Sequence, residues 1–149
     1  MNQQNNLDST EEQMAKEIYT LPKGIPGFEE LRSFTLQQHD EVFSLFSSVE
    51  EPAISFVTVN PFDFHSDYEF ELSPEIVNEL SVIDQSDILV RCIVTLYDEI
   101  KNSTANLLAP IVLNKQNNLG KQIVLQNTEY ITKHALWRDN DSENKVGDV

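Results

Sequence analysis

Lysine and arginine are absent between Ser33 and Val90, a stretch that carries twelve carboxylates. This block holds twelve of the fifteen net negative charges; residues 1–32 have six acids against three bases, and residues 91–149 have seven of each. A field polarised in this way repels phosphates and favours encounter with a basic partner, acting on association rate and choice of partner rather than on fold. The same excess also keeps a small protein in solution. Ten bases scattered among twenty-five acids cannot neutralise a nucleic acid backbone, so no direct nucleic acid contact is expected.

Cysteine is nearly absent too. The single Cys92 excludes an internal disulfide and a four-cysteine zinc site, and its place in an apolar run predicts a buried core thiol. The first twelve residues lack an apolar stretch and no segment reaches membrane-spanning length, so a cytoplasmic protein without membrane contact is expected. A glycine-rich phosphate loop, a nucleophile-elbow pattern and a histidine pair at helical spacing are all missing. His39, His65 and His134 are far apart, and His65-Ser-Asp67 reads as a polar turn. Glu69 and Glu71 share a face of a predicted strand, but without further oxygen ligands at fixed spacing they read as solvated. No catalytic residue, metal ligand or cofactor is expected.

What the chain does contain is strand pattern. One domain is predicted over residues 13–137, with flexible polar tails at 1–12 and 138–149. Leu21-Pro-Lys-Gly-Ile-Pro-Gly-Phe28 packs two prolines and two glycines into a structured loop. Strands are predicted at 53–59 and 88–97, the latter apolar on both faces and hence covered on both. Weaker candidates are 31–37, 42–47, 67–72, 111–114 and 122–126. A helix is predicted from Ser73-Pro-Glu75 to about Leu80, with serine as cap, proline at the first helical position and a carboxylate in the first turn. Helix or strand is open for 14–19 and 128–137, where the β-branched and aromatic residues favour strand. The fold class is mostly β: a small antiparallel β-barrel-like single domain with one or two short helices.

Within the acidic block lie Phe62, Phe64, Tyr68 and Phe70. Apolar anchors ringed by carboxylates suit recognition of a basic protein surface, and the same aromatics on alternating positions could equally be core.

Several segments together resemble the flagellar assembly factor FliW family. They are Lys23-Gly-Ile-Pro-Gly-Phe-Glu29; Leu45-Phe-Ser-Ser48 followed by Pro52-Ala-Ile-Ser-Phe-Val57; Asn60-Pro-Phe62 with Asp67-Tyr-Glu69; and Thr104-Ala-Asn-Leu-Leu-Ala-Pro-Ile-Val-Leu-Asn114 leading to Gln122-Ile-Val-Leu125. The resemblance covers about residues 17–136. It implies a compact β-barrel-like domain without enzymatic activity that binds flagellin in the manner of a chaperone and also binds the RNA-binding translational repressor CsrA; a monomer is expected. On export of flagellin the freed protein would bind CsrA and relieve repression of flagellin mRNA. Phe62, Asp63, Phe64, Asp67, Glu69, Glu71, Glu75 and Glu79 are the expected partner-binding residues. Gly24, Pro26, Gly27, Phe28, Asn106, Pro110 and Asn114 are expected to serve the fold. The chain departs from the family at its start, where only Ile18-Tyr-Thr-Leu21 precedes the Gly-Ile-Pro-Gly loop, so the first edge strand is expected to be missing and the barrel left open. An enzyme or ligand-binding barrel with a polar pocket near His65, and a calcium module, are the competing expectations.

Overall fold

A computed structural model describes residues 17–137. The expected tails, 1–12 and 138–149, lie outside the described residues. Among the described residues the strands are β1 (Glu17–Thr20), β2 (Ser33–Gln38), β3 (Phe43–Ser48), β4 (Ser55–Val59), β5 (Ile88–Thr95), β6 (Thr104–Ala105), β7 (Ile111–Asn114), β8 (Leu119–Gln122) and β9 (His134–Ala135). One α-helix, α1 (Pro74–Glu79), lies between β4 and β5.

The strands follow the order β4-β3-β2-β1-β8-β7-β5, and β5 pairs back onto β4 to close a seven-stranded barrel. All neighbours are antiparallel except β1 and β8, which meet in parallel at Thr20 and Leu119. Two hydrogen bonds reinforce this short seam: Thr20 N–H donates to the Asn118 carbonyl at 2.8 Å, and Asn118 Nδ2 donates to the Ile18 carbonyl at 2.9 Å. The barrel is therefore closed, contrary to expectation, by a strand where Ile18 and Tyr19 favoured one. Four residues suffice, because β1 registers on β2 from Glu17 opposite Leu36 to Thr20 opposite Ser33.

Inside the barrel, Tyr19, Phe34, Leu36, Phe46, Ile111 and Leu113 fill the axis. The rings of Phe34 and Phe46 stack with centroids 4.8 Å apart and planes 4° from parallel. Burying each such side chain stabilises the fold by about 1.5–3 kcal/mol. Leu21, Ile25 and Leu31 of the proline- and glycine-rich loop insert into the same cluster. Gly24 (φ +64) and Gly27 (φ +91) supply the left-handed backbone this loop needs. Pro26 is exposed, and Phe28 packs edge-on against Phe56 at 5.5 Å.

Strand β5 is covered on both faces as its sequence predicts: Leu89 and Ile93 pack on the interior cluster, while Val90, Cys92 and Val94 belong to a second cluster outside the barrel. A third cluster seats α1 through Leu80 and Ile76 on Val112 of β7 and on Ile123. The helix begins as expected, with Ser73 Oγ accepting from Ile76 N–H at 3.2 Å and Pro74 at the first position. It ends where Ser81 turns left-handed (φ 52) and Val82 N–H reaches back to the Val77 carbonyl at 2.9 Å. Two strand expectations shift. Asp67 lies in a turn and residues 68–72 join no sheet, and the strand expected at 122–126 instead occupies Leu119–Gln122. Residues 128–137 form a loop that becomes strand only at β9.

Candidate functional site

The acidic segment 60–79 wraps the outside of the barrel, held by its aromatic side chains. Asn60 Oδ1 accepts from Phe62 N–H at 3.1 Å and opens a 3-10 turn, Pro61–Asp63. Tyr68 is buried, with its hydroxyl donating to the Leu107 carbonyl at 2.7 Å; burial pushes its pKa well above the usual phenol value. Phe70 packs beside it, ring centroids 5.6 Å apart, and Phe64 meets Trp137 edge-on at 5.5 Å. Of the four aromatics in segment 60–79, three are thus packed. Phe62 stays 41% exposed, its ring 5.7 Å from Tyr68.

Pinning these apolar side chains inward turns the intervening carboxylates outward. Asp63, Asp67, Glu69, Glu71 and Glu75 are all exposed. Burial draws the pKa of half-buried Arg91 below the usual guanidinium value, with the Asp63 carboxylate among the groups opposing the shift. Glu79 differs from the rest. Its carboxylate accepts from Lys121 Nζ at 2.9 Å and lies 3.2 Å from Lys23 Nζ, and the Lys121 hydrogen bond holds its pKa below the usual carboxylate range. Its charge is committed within the molecule.

Between residues 69–76 and 121–128 runs a groove of about 740 Å³. Phe70, Leu72 and Leu125, half-buried against Leu80 and Ile123, make its floor. Its far wall is set by the motif residues of the 104–114 segment. Asn106 Oδ1 accepts from Ala109 N–H at 3.0 Å, shaping the turn before Pro110, whose carbonyl takes Ile123 N–H at 3.0 Å. Asn114, 1% exposed, donates from Nδ2 to the Leu80 carbonyl at 2.9 Å and accepts from Gln116 N–H at 2.9 Å, tying α1 to β7. Across the groove's end, Glu69 N–H donates to Tyr130 Oη at 3.2 Å. The 121–128 wall and Tyr130 were not legible as site residues; the run Ile123-Val-Leu125 signalled only a strand.

His65 sits elsewhere than a ligand would need. It is 6% exposed, with Nε2 2.9 Å from the Ala135 carbonyl and its ring centroid 4.9 Å from that of His134. The barrel interior, where a small-molecule pocket would lie, is filled by the interior cluster. A second cleft of about 690 Å³ continues from the groove past Asn127 and Thr128 to Tyr130 and His134. Among the described residues no three of His, Cys, Asp and Glu are grouped to hold a metal ion, and no helix is long and apolar enough to cross a membrane.

A family model described as FliW protein matches residues 3–136. The chain is 43% identical over 127 residues to the flagellar assembly factor FliW of Alkaliphilus metalliredigens, covering 83% of this chain and 78% of that one. It is 39% identical over 126 residues to the flagellar assembly factor FliW of Clostridium botulinum, covering 83% and 88%. A crystal structure of the flagellar assembly factor FliW superimposes with a TM-score of 0.79 at 40% identity, over 81% of this chain and 86% of that one.

Proposed function

Because this chain belongs to the FliW family, we propose that it is a cytoplasmic flagellar assembly factor that works by occupying protein partners in turn and catalyses no reaction. The partners are flagellin and the translational repressor CsrA. While flagellin accumulates it holds the protein; once flagellin is exported, the freed protein binds CsrA and relieves repression of flagellin mRNA.

The observation that carries the CsrA half of this reading is the outward set Asp63, Asp67, Glu69, Glu71 and Glu75, all exposed and lying on one segment pinned to the barrel. Docked beside the RNA-binding surface of a basic protein, a chain of net charge −15 weakens phosphate binding by its field as well as by contact. Phe62 supplies an exposed apolar anchor within the same segment. Glu79, neutralised by two lysines, supports the surface rather than joining it.

Calorimetric titration with CsrA, then flagellin, at low and moderate salt tests this. Salt-sensitive binding to CsrA that flagellin abolishes is expected, with slower association and a flatter salt dependence for the triple variant Asp67→Lys, Glu69→Lys, Glu71→Lys. A folded protein that binds neither partner sinks the reading.

A further inference from the structure

A strand edge stands open along the groove. Ile123 N–H and Leu125 N–H are spent on the carbonyls of Pro110 and Leu108, at 3.0 and 2.9 Å. Successive N–H groups of an extended chain point to opposite sides, so the backbone groups of Val124 and Gln126 face away from that pairing, toward the groove. Neither makes a hydrogen bond to any described residue, nor does the backbone of Phe70, Glu71 or Leu72 on the opposite wall. Two segments outside the strand ladders thus border one groove, with no hydrogen bond to a described residue from the backbones of Val124, Gln126, Phe70, Glu71 or Leu72.

The side chains around this edge alternate. Phe70 and Leu72 turn down to the floor with Leu125, while Glu69, Glu71 and Glu75 stand at the rim, exposed. A strand added here meets apolar contacts on one face and carboxylates on the other, with main-chain groups available beside it. We propose that the groove takes an extended segment of a protein partner, alternating apolar with lysine or arginine residues, which adds as a strand along Val124 to Gln126. Main-chain pairing supplies affinity, the floor selects apolar residues at alternate positions, and the acidic rim selects the bases between them. An anionic segment is rejected by the rim, and a helix cannot pair with an open strand edge. This deepens the partner-binding reading above and rests on it.

The test uses a fluorescent octapeptide alternating lysine and valine, its glutamate-valine counterpart, and a lysine-valine peptide N-methylated at alternate residues on either edge. Anisotropy against the full chain is expected to show saturable binding of the first alone. Val124→Pro removes an N–H that the free protein leaves unpaired, so the fold is retained while the edge is blocked, and affinity should fall by at least about tenfold. Glu69→Lys with Glu71→Lys should abolish binding of the lysine peptide without Pro-related risk to folding. Equal binding of the N-methylated and parent peptides, or of the parent to wild type and Val124→Pro, would reduce the site to a charged surface and overturn strand addition. Absence of lysine-peptide binding overturns it as well. The same proline variant titrated with CsrA and flagellin separates the two readings: partners that bind wild type and Val124→Pro alike leave the proposed function standing and remove the groove from it.

Discussion

Lys121 Nζ on β8 reaches both oxygens of Glu79 on α1, at 2.9 and 3.1 Å, joining elements 42 residues apart. Both side chains are mostly shielded, 22% and 27% exposed, so this pair outweighs the contact from Lys23, whose side chain is 67% exposed. Lys121→Met should cost about 0.5–1 kcal/mol at neutral pH. The pKa of Glu79 lies lower in the folded than in the unfolded chain, chiefly through the Lys121 hydrogen bond, so the unfolded state binds the proton first on acidification. The stabilisation is then complete above the unfolded value, about 4.3, and disappears as pH falls through the lowered folded one. Urea melts of wild type and variant across that range should converge at the acid end; a constant gap would mean that the Glu79 charge is not the source.

The two left-handed glycines should differ in their tolerance. A Cβ on Gly24 would lie 2.7 Å from Glu29 Cα and 2.8 Å from the Phe28 carbonyl oxygen, whereas one on Gly27 meets nothing within 4 Å. Gly27→Ala should therefore cost only the left-handed penalty, about 1–2 kcal/mol. Gly24→Ala should cost clearly more, since backbone must move. Equal melting temperatures for the two variants would contradict this account of the loop.

Asn114 carries a buried hydrogen-bond junction rather than a surface contact. Asn114→Ala strips the acceptor from Gln116 N–H and one donor from the Leu80 carbonyl, for an expected loss of about 1–3 kcal/mol. Leu80 retains Asn117 Nδ2 at 3.0 Å, so the double variant with Asn117→Ala should lose more than the two single losses summed. Chemical denaturation of the cycle measures the coupling, and strict additivity would remove the shared-acceptor explanation.

Cys92 should report release of the layer that covers the outer face of β5. It is fully buried on β5, and burial pushes its thiol up to about 12, with Tyr68 and Arg91 opposing. Iodoacetamide at about pH 8, near the ordinary thiol value, should label the native protein only through unfolding, with a rate that rises with urea. Rapid labelling in water would place the thiol at the surface.

Much of the barrel was legible because its strands obey local rules. Strand β7 fell where its apolar run begins and ends, and Ser73-Pro-Glu75 marked α1 through capping chemistry that needs no tertiary partner. Strand β1 was legible only in part: Ile18 and Tyr19 favoured strand over 14–19, but its bounds, four residues with exposed neighbours around Tyr19, are set by pairing with β2. Residues 67–72 misled in the opposite sense. Their alternation is real, with Tyr68, Phe70 and Leu72 inward, but it is imposed by packing on the barrel's outer clusters rather than by sheet pairing. The acidic wall of the groove could be read from charge alone. Its other wall could not, because Val124 and Gln126 become an edge only when Leu108 and Pro110 take the alternate N–H groups.

The seam between Ile18 and Asn118 spans 100 positions along the chain. As the polypeptide leaves the ribosome, β1 to β4 can form a four-stranded meander well before β8 is made, and until then β1 is one bare edge while the other passes from β4 to β5 and then β7 as each is added. Closure waits on the late arrival of Leu119 beside Thr20, so the nascent protein passes through a sheet with two sticky sides. The acids of that early half, with no lysine or arginine beyond Arg32 to offset them before Arg91, then repel neighbouring copies during the interval in which the sheet is most exposed to them.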